Sequence, residues 1–150
     1  MNNLIKNPQW KPGPNGGPKY FSGSGSTYDD LAIDGHRTCS ITQTESMTGY
    51  DQYDFPIPTY GNRQIRWGYM IRMVDAECIS LMAEFYHRQG KLISQETAHI
   101  TDQISYQFSF QSAVFKIPHD ASFVKLSLQF RGKITACTYY APAAYFSKEQ

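Results

Sequence analysis

The chain has 150 residues, of which 14 are basic and 13 acidic, so its formal net charge is +1 and like charges do not cluster. Nucleic-acid-binding surfaces need a basic stripe, and none is visible here. No apolar run approaches the roughly 18 residues of a membrane-spanning helix, so we expect neither nucleic acid nor membrane as a partner. The length suits one domain with its own core, which we place over residues 1–150.

The three cysteines, Cys39, Cys78 and Cys137, form no CxxC pair, and none has a histidine at zinc-ligand spacing. We expect three reduced thiols packed as small apolar groups. A Cys39–Cys137 disulfide is the alternative if the two strands are neighbours. Residues 1–13 contain no apolar core, so we expect the chain to begin without a signal peptide.

Short β-rich runs and turn residues alternate along the first part of the chain. Leu4 and Ile5 predict a short edge strand that ends at Pro8, because proline cannot donate to a ladder. Residues 11–27 are rich in Gly, Pro and Ser and predict a loop. Strands are predicted over 38–44 and 52–57, the second of them ending at Pro56 and Pro58.

The middle of the chain predicts two strands followed by a hairpin. Residues 64–74 place Ile65, Trp67, Tyr69, Ile71 and Met73 on one face, so this face is predicted to pack on a core with Trp67 inside. Residues 78–87 alternate in the same way. A turn is predicted at residues 88–91, after which residues 92–100 return as the partner strand.

The last third carries the most regular β pattern. Val124, Leu126, Leu128 and Phe130 recur at every second position, which indicates a half-buried strand. Gly132 is predicted to turn the chain into an antiparallel hairpin with the β-rich run that follows. No segment keeps a helical stripe for three turns. About ten short strands therefore predict an all-β protein, an antiparallel β-sandwich with jelly-roll topology.

Five segments occur in an order that resembles a known family. They are residues 3–7 (NLIKN) followed by Trp10, then residues 35–42, 64–72, 83–93 and 115–128. In order and spacing they are similar to the jelly-roll carbohydrate-binding modules of the galactose-binding-domain-like superfamily, which are found attached to xylanases and glucanases. The resemblance covers nearly the whole chain. It implies lectin-like, non-catalytic carbohydrate binding by a domain of a kind that is usually extracellular.

The chain departs from the family pattern where the family often holds a structural calcium ion. The hairpin carries His87 in place of an acid, and residues 135–146 contain no acid in place of an Asp pair. Calcium needs several oxygen ligands, so these losses weaken the case for a metal. Asp29, Asp30 and Asp34 are another source of ligands, but we expect solvated loop acids, no metal site and no cofactor.

The candidate binding site consists of polar side chains that are predicted to point away from the core. They are Arg66, Arg72, Glu84, Tyr86, Lys125 and Gln129. If their strands share a sheet, they form a polar surface with Tyr86 as an aromatic platform; the alternative is a solvated face with ion pairs such as Arg72 with Glu84. A second candidate is the loop edge, where binding residues often lie. Its aromatic residues are Tyr20, Phe21, Tyr28, Tyr50, Tyr53 and Tyr60.

A catalytic site is not expected from this sequence. Only Glu84 and Glu96 lie on predicted strands away from turns, and as cross-strand neighbours they would be the one pair suited to glycoside hydrolysis. No GxSxG motif occurs, and no histidine has an obvious nucleophile beside it. We therefore expect a protein that binds a glycan by aromatic stacking and hydrogen bonds. The alternative is a coat, capsid or appendage subunit that uses the sandwich to bind itself or another protein.

Overall fold

The computed structural model describes residues 2–43 and 47–147, except for the side chains of residues 30–32. The strands are β1 (Phe21–Ser24), β2 (Thr27–Ile33), β3 (His36–Gln43), β4 (Thr48–Tyr53), β5 (Ile57–Pro58), β6 (Gln64–Tyr86), β7 (Leu92–His99), β8 (Ser109–Lys116) and β9 (Phe123–Phe146). Within the described residues the only helical segment is a 3₁₀ turn, Thr101–Gln103. None of the described chain forms a helix long and apolar enough to cross a membrane.

Two long strands, β6 and β9, pass through both layers of the fold. The first half of β6 pairs with β8 and with the second half of β9, whereas the second half of β6 pairs with β7 and with the first half of β9. Sheet A thus has the order β1–β4–β9–β6–β7. Sheet B has the order β8–β6–β9–β3–β2. All pairs are antiparallel, which confirms the predicted all-β sandwich.

The bends of these strands explain two wrong predictions about where strands end. Gly132 does not turn the chain, because β9 continues through it from sheet A into sheet B. Its φ is +79°, and a Cβ at this position would lie 2.0 Å from Glu77 Oε2, so only glycine lets β9 pass Glu77 closely here. The predicted strands 64–74 and 78–87 are likewise one strand, β6, whose register with β9 shifts between Met73 and Cys78.

The N-terminal third differs from prediction in three places. The predicted loop 11–27 contains β1, and the predicted strand 52–57 is divided between β4 and β5. Leu4 lies outside the assigned strands, although its N–H donates to the carbonyl of Ala144 (2.7 Å). The predicted strand 38–44 corresponds to β3, with Thr44 outside the described residues.

The core lies between the two sheets and is unusually aromatic. Trp67 is fully buried, as predicted, and its Nε1 donates to the carbonyl of Ser127 (3.1 Å). Trp10 is also fully buried and packs edge-on against Tyr69 and Tyr139, with ring centroids 5.7 and 5.5 Å away. Aromatic side chains from both sheets and from the N-terminal segment therefore close the interior.

All three cysteines are free, so the alternative Cys39–Cys137 disulfide is absent. Cys39 and Cys137 are buried in sheet B, and burial raises the pKa of the Cys137 thiol to about 12. Burial also raises the pKa of the Cys39 thiol, and the nearby carboxylates of Asp51 and Asp29 raise it further. Cys78 is only half-buried and lies on the outer side of sheet A.

Candidate functional site

A groove of about 220 Å³ crosses the outer face of sheet A. Its lining residues come from four neighbouring strands and are Thr48, Cys78, Ser80, Met82, Gln95, Thr97, His99, Gln129, Phe130 and Arg131. Because side chains alternate along a strand, every second residue of β6 and β7 points into the groove while the residues between them face away. The groove is therefore a direct product of the alternation and of the pairing of β4, β9, β6 and β7.

The pairing register places the groove side chains in rows that cross the strands. Tyr50 of β4 is opposite Gln129 of β9, Gln129 is opposite Ser80 of β6, and Ser80 is opposite His99 of β7. Residues opposite each other in an antiparallel ladder lie on the same face. Tyr50 is 40% exposed and stands beside the groove as an accessible aromatic ring.

The floor of the groove is recessed. Ser80, Met82 and Ser127 are 4, 9 and 3% exposed, although all three face outward from sheet A. Gln129 covers Ser127 and donates from Nε2 to its Oγ (3.2 Å). The floor thus combines an apolar thioether with hydroxyl and amide groups, and the ligand surfaces that it suits are those with both CH faces and hydrogen-bonding groups.

The six site residues predicted from the sequence fall on two different surfaces. Four share the outer face of sheet A, namely Glu84, Tyr86, Lys125 and Gln129. The other two, Arg66 and Arg72, lie on the part of β6 that belongs to sheet B. The strand segments that carry these six residues therefore do not share one sheet, and Arg72 does not face Glu84.

Three of the four residues on sheet A form a cluster beyond the end of the groove. Lys125 is opposite Glu84, and its Nζ lies 5.1 Å from the centroid of the Tyr86 ring. The hydroxyl of Tyr86 donates to Glu84 Oε2 (3.3 Å). Burial raises the pKa of Tyr86, and the Glu84 carboxylate raises it further. Lys125 thus lies over one face of the half-buried Tyr86 ring, within the range of a cation–π contact.

The two arginines have protein partners on sheet B. Arg66 Nη1 donates to the hydroxyl of Ser112 on β8 (2.9 Å). The guanidinium of Arg72 lies 4.7 Å from the ring centroid of Phe108, within the range of a cation–π contact. Both side chains are thus held by residues of β8 or just before it, in the layer opposite the groove.

Some residues in or beside the groove are not among the six predicted as the candidate site. Tyr50, which the sequence predicts at the loop edge, lies on β4 beside the groove. His99 has a nucleophile beside it after all, since its Nδ1 lies 2.7 Å from Ser80 Oγ. The alternation of Gln95, Thr97 and His99 indicates that they share one face of β7. The residues opposite them on β6 cannot be predicted in the same way, because they depend on a register shift between Phe85 and Tyr86.

The carboxylate pair considered for hydrolysis is not assembled. Glu84 is opposite Gln95, and Glu96 is opposite Ala83. Since Ala83 is in the core-facing row of β6 and Glu84 in the outward row, the two acids point to opposite sides of sheet A. The one pairing that would have suited hydrolysis is therefore not formed.

The loop-edge alternative corresponds to a second cavity of about 330 Å³ beside the Gly-rich segment. Its lining includes Asn15, Tyr28 and, at the buried end, Asp51. Of the aromatic residues proposed there, Phe21 and Tyr53 are buried in the core, whereas Tyr60 is 81% exposed. This cavity is lined mainly by small and polar residues and offers few accessible rings.

The acids proposed as calcium ligands have other partners where they are described. Asp29 Oδ2 accepts hydrogen bonds from Thr38 Oγ1 (2.8 Å) and Ser40 Oγ (2.7 Å). The side chain of Asp30 lies outside the described ones. Across the described parts of the chain, no group of three or more His, Cys, Asp or Glu side chains is placed to hold a metal ion.

No protein-family profile and no curated protein sequence matches the chain. Solved structures do match it. The enzymatically active domain of tailspike protein 4 of Bacteriophage CBA120 superimposes with a TM-score of 0.69 and 11% sequence identity over 97% of the present chain. The present chain spans only 21% of the length of that tailspike chain. A family 61 carbohydrate-binding module in complex with β-1,4-galactotriose superimposes with a TM-score of 0.62 and 11% sequence identity, and the match covers 98% of this chain and 100% of the module. The C-terminal family 22 carbohydrate-binding module of Clostridium thermocellum Xyn10B superimposes with a TM-score of 0.51 and 10% sequence identity, and the match covers 91% of this chain and 96% of the module. The chain therefore has the fold of the β-sandwich carbohydrate-binding modules.

Proposed function

We propose that residues 1–150 act as one domain that binds a glycan, without a covalent step, in the groove on sheet A. The observation that carries this proposal is the combination of an exposed Tyr50 with a recessed floor of Met82, Ser80 and Gln129. Sugars present CH faces that stack on aromatic rings and hydroxyls that exchange hydrogen bonds with amide and hydroxyl groups. The structural similarity to modules that include a galactotriose complex supports the same ligand class.

The composition of the groove supports binding without catalysis. Among the described residues that line it there is no aspartate or glutamate. Glycoside hydrolysis ordinarily uses two carboxyl groups about 5–10 Å apart, on either side of the scissile bond. Gln129, Gln95 and Thr97 supply neutral donors and acceptors instead, and these suit the hydroxyls of an uncharged oligosaccharide.

The first test is a glycan array probed with the purified chain, in the presence and absence of calcium. A reproducible signal is expected, and the best glycan then serves for titration calorimetry. Tyr50→Ala is expected to weaken its affinity by about tenfold or more, because an exposed stacking platform is lost. Tyr60→Ala is the matched control, since it removes an exposed tyrosine ring in the turn after β5, away from the row formed by Tyr50, Gln129 and Ser80. A blank array, or equal losses in both variants, would contradict the proposal.

A structural subunit is the second candidate, and two observations favour it. The chain is similar in fold to part of a phage tailspike. On sheet B, Phe110 and Val114 of the edge strand β8 are 39 and 41% exposed, and both occupy the row that faces outward. Sedimentation velocity separates the two candidates. A stable oligomer that Phe110→Ser dissociates, together with a blank array, would favour the structural role.

A further inference from the structure

Cys78, Ser80 and His99 form a connected cluster at one end of the groove. Cys78 and Ser80 occupy alternate positions of β6, and His99 is opposite Ser80 on β7. The Sγ of Cys78 lies 3.5 Å from Ser80 Oγ and 3.6 Å from His99 Nδ1. Ser80 Oγ in turn lies 2.7 Å from His99 Nδ1. A thiol, a hydroxyl and an imidazole are thus in mutual contact on an accessible surface.

The hydrogen bonds of this cluster can run in either direction. With neutral groups, the Cys78 thiol donates to Ser80 Oγ and the Ser80 hydroxyl donates to His99 Nδ1. If one proton passes from Cys78 to His99, Nδ1–H donates to Ser80 Oγ and the hydroxyl turns to donate to the thiolate. Every group keeps a partner in both states. The thiolate, which is the reactive form of cysteine, is therefore formed without leaving an unsatisfied polar group.

The two other cysteines lack this setting. Cys39 and Cys137 are 2 and 1% exposed, and burial raises the pKa of both thiols. Cys78 is half-buried, lines the groove and is opposite Arg131 of β9, and Glu77 lines the adjoining cavity together with both residues. Reactive cysteines are typically partly exposed and lie beside a histidine, as Cys78 does.

We propose that Cys78 is a site of reversible modification by small disulfides, with His99 as the base and Ser80 as the proton relay. The thiol proton passes to His99, directly or through Ser80, and the thiolate attacks one sulfur of the disulfide. A bond forms between Cys78 Sγ and that sulfur, the disulfide bond of the reagent breaks, and its other half leaves as a thiolate. The leaving thiolate takes up the proton from His99 or from water. No other oxidant is needed, because the disulfide supplies the oxidising equivalent.

The modification has a consequence that depends on the proposed function. An adduct on Cys78 would occupy the end of the groove that Thr48, Arg131 and His99 surround. It would therefore exclude a glycan from that part of the surface. The thiol exchange itself does not depend on glycan binding, so the two proposals can fail separately.

The experiment measures thiol exchange with 5,5′-dithiobis(2-nitrobenzoic acid) under native conditions, followed by the absorbance of the released thiolate. One equivalent is expected to react rapidly, and Cys78→Ser should remove it, leaving Cys39 and Cys137 to react only after denaturation. His99→Gln and Ser80→Ala are expected to slow the rapid phase by roughly tenfold or more. His87→Gln is the matched control, because His87 lies on the hairpin beside Asp120, away from the cluster.

A packing role for His99 is distinguished by chemical rescue. His99→Gly should regain rapid exchange when imidazole is added to the buffer, which a loss of packing alone would not allow. Thermal unfolding of each variant shows whether it is folded under the assay conditions. The proposal is overturned if Cys78→Ser keeps the rapid equivalent, or if His99→Gln reacts as fast as the unaltered chain. Binding of an array-selected glycan before and after modification by oxidised glutathione then tests the consequence separately.

Discussion

Tyr139 donates a hydrogen bond of 2.9 Å to the carboxylate of Asp51 across the interior of the sandwich. Asp51 belongs to β4 in sheet A and Tyr139 to the part of β9 in sheet B, so this bond joins the two layers. Asp51 is 3% exposed, and burial raises its pKa to about 7, although the hydrogen bond from Tyr139 acts in the opposite direction. The fold therefore holds a carboxyl group that is costly to ionise.

The unaltered protein is expected to become less stable as the pH rises, because of Asp51. The Asp51→Asn variant should not show this decrease. Between its ordinary value of 3.8 and about 7, Asp51 is ionised in the unfolded chain but protonated in the folded one. The unfolded state binds fewer protons in this window, so the free energy of unfolding falls as the pH rises, by on the order of 4 kcal/mol for this group. Above pH 7 the loss is complete and constant.

Urea unfolding at pH 4.5 and pH 7.5 measures this effect. The difference in stability between Asp51→Asn and the unaltered chain should be larger at pH 7.5, in favour of the variant. Asp102→Asn serves as the control, because Asp102 is exposed in the 3₁₀ turn. An equal difference at both pH values would show that Asp51 does not titrate in this range.

Gly132 and Gly90 provide a test of the bend in β9. Both have positive φ, +79° and +90°, but an added Cβ meets Glu77 only at Gly132 and meets nothing within 4 Å at Gly90. Gly90→Ala is expected to cost about 1–2 kcal/mol from backbone strain alone. Gly132→Ala should cost more, because the nearest approaches include Glu77 Cβ at 2.8 Å, which a rotation of that side chain cannot relieve.

Equilibrium unfolding of the two glycine variants gives the comparison directly. Adding Glu77→Ala to Gly132→Ala should recover part of the extra loss, whereas adding it to Gly90→Ala should not. Equal costs at Gly132 and Gly90 would mean that contact between β9 and Glu77 does not restrict the bend.

The faces of the strands could be predicted from the sequence, but the continuity of the strands could not. Alternation is a local property, so the core-facing rows of β6 that contain Trp67 and Leu81 were readable from hydrophobicity alone. A positive-φ glycine inside a bent strand has the same sequence signature as a hairpin turn, so the sequence around Gly132 predicts a turn that the structure does not contain. The sandwich was predicted correctly, since either interpretation produces two layers.

The candidate site shows the same limit at longer range. Glu84 and Arg72 both belong to the row of β6 side chains that points away from the core, and only the bend between them places them on opposite sheets. The closeness of His99 and Ser80 depends on a bulge in the hairpin, which shifts the register by an amount that the turn sequence does not reveal. Side chains that meet through long-range pairing are therefore the part of the site that the sequence leaves open.

Tyr86 and Arg72 test which sheet carries the ligand. If a glycan extends from the groove along β6, it reaches the half-buried Tyr86 ring, two residues past Glu84 on the same outward row. Tyr86→Ala should then weaken binding of the array-selected glycan severalfold, while Tyr86→Phe should keep most of the affinity because stacking needs the ring and not the hydroxyl. Arg72→Ala is expected to have no effect, since Arg72 lies on sheet B and contacts Phe108 just before β8. Titration calorimetry of the three variants decides the matter: a loss in Arg72→Ala with none in Tyr86→Ala would move the binding surface to sheet B.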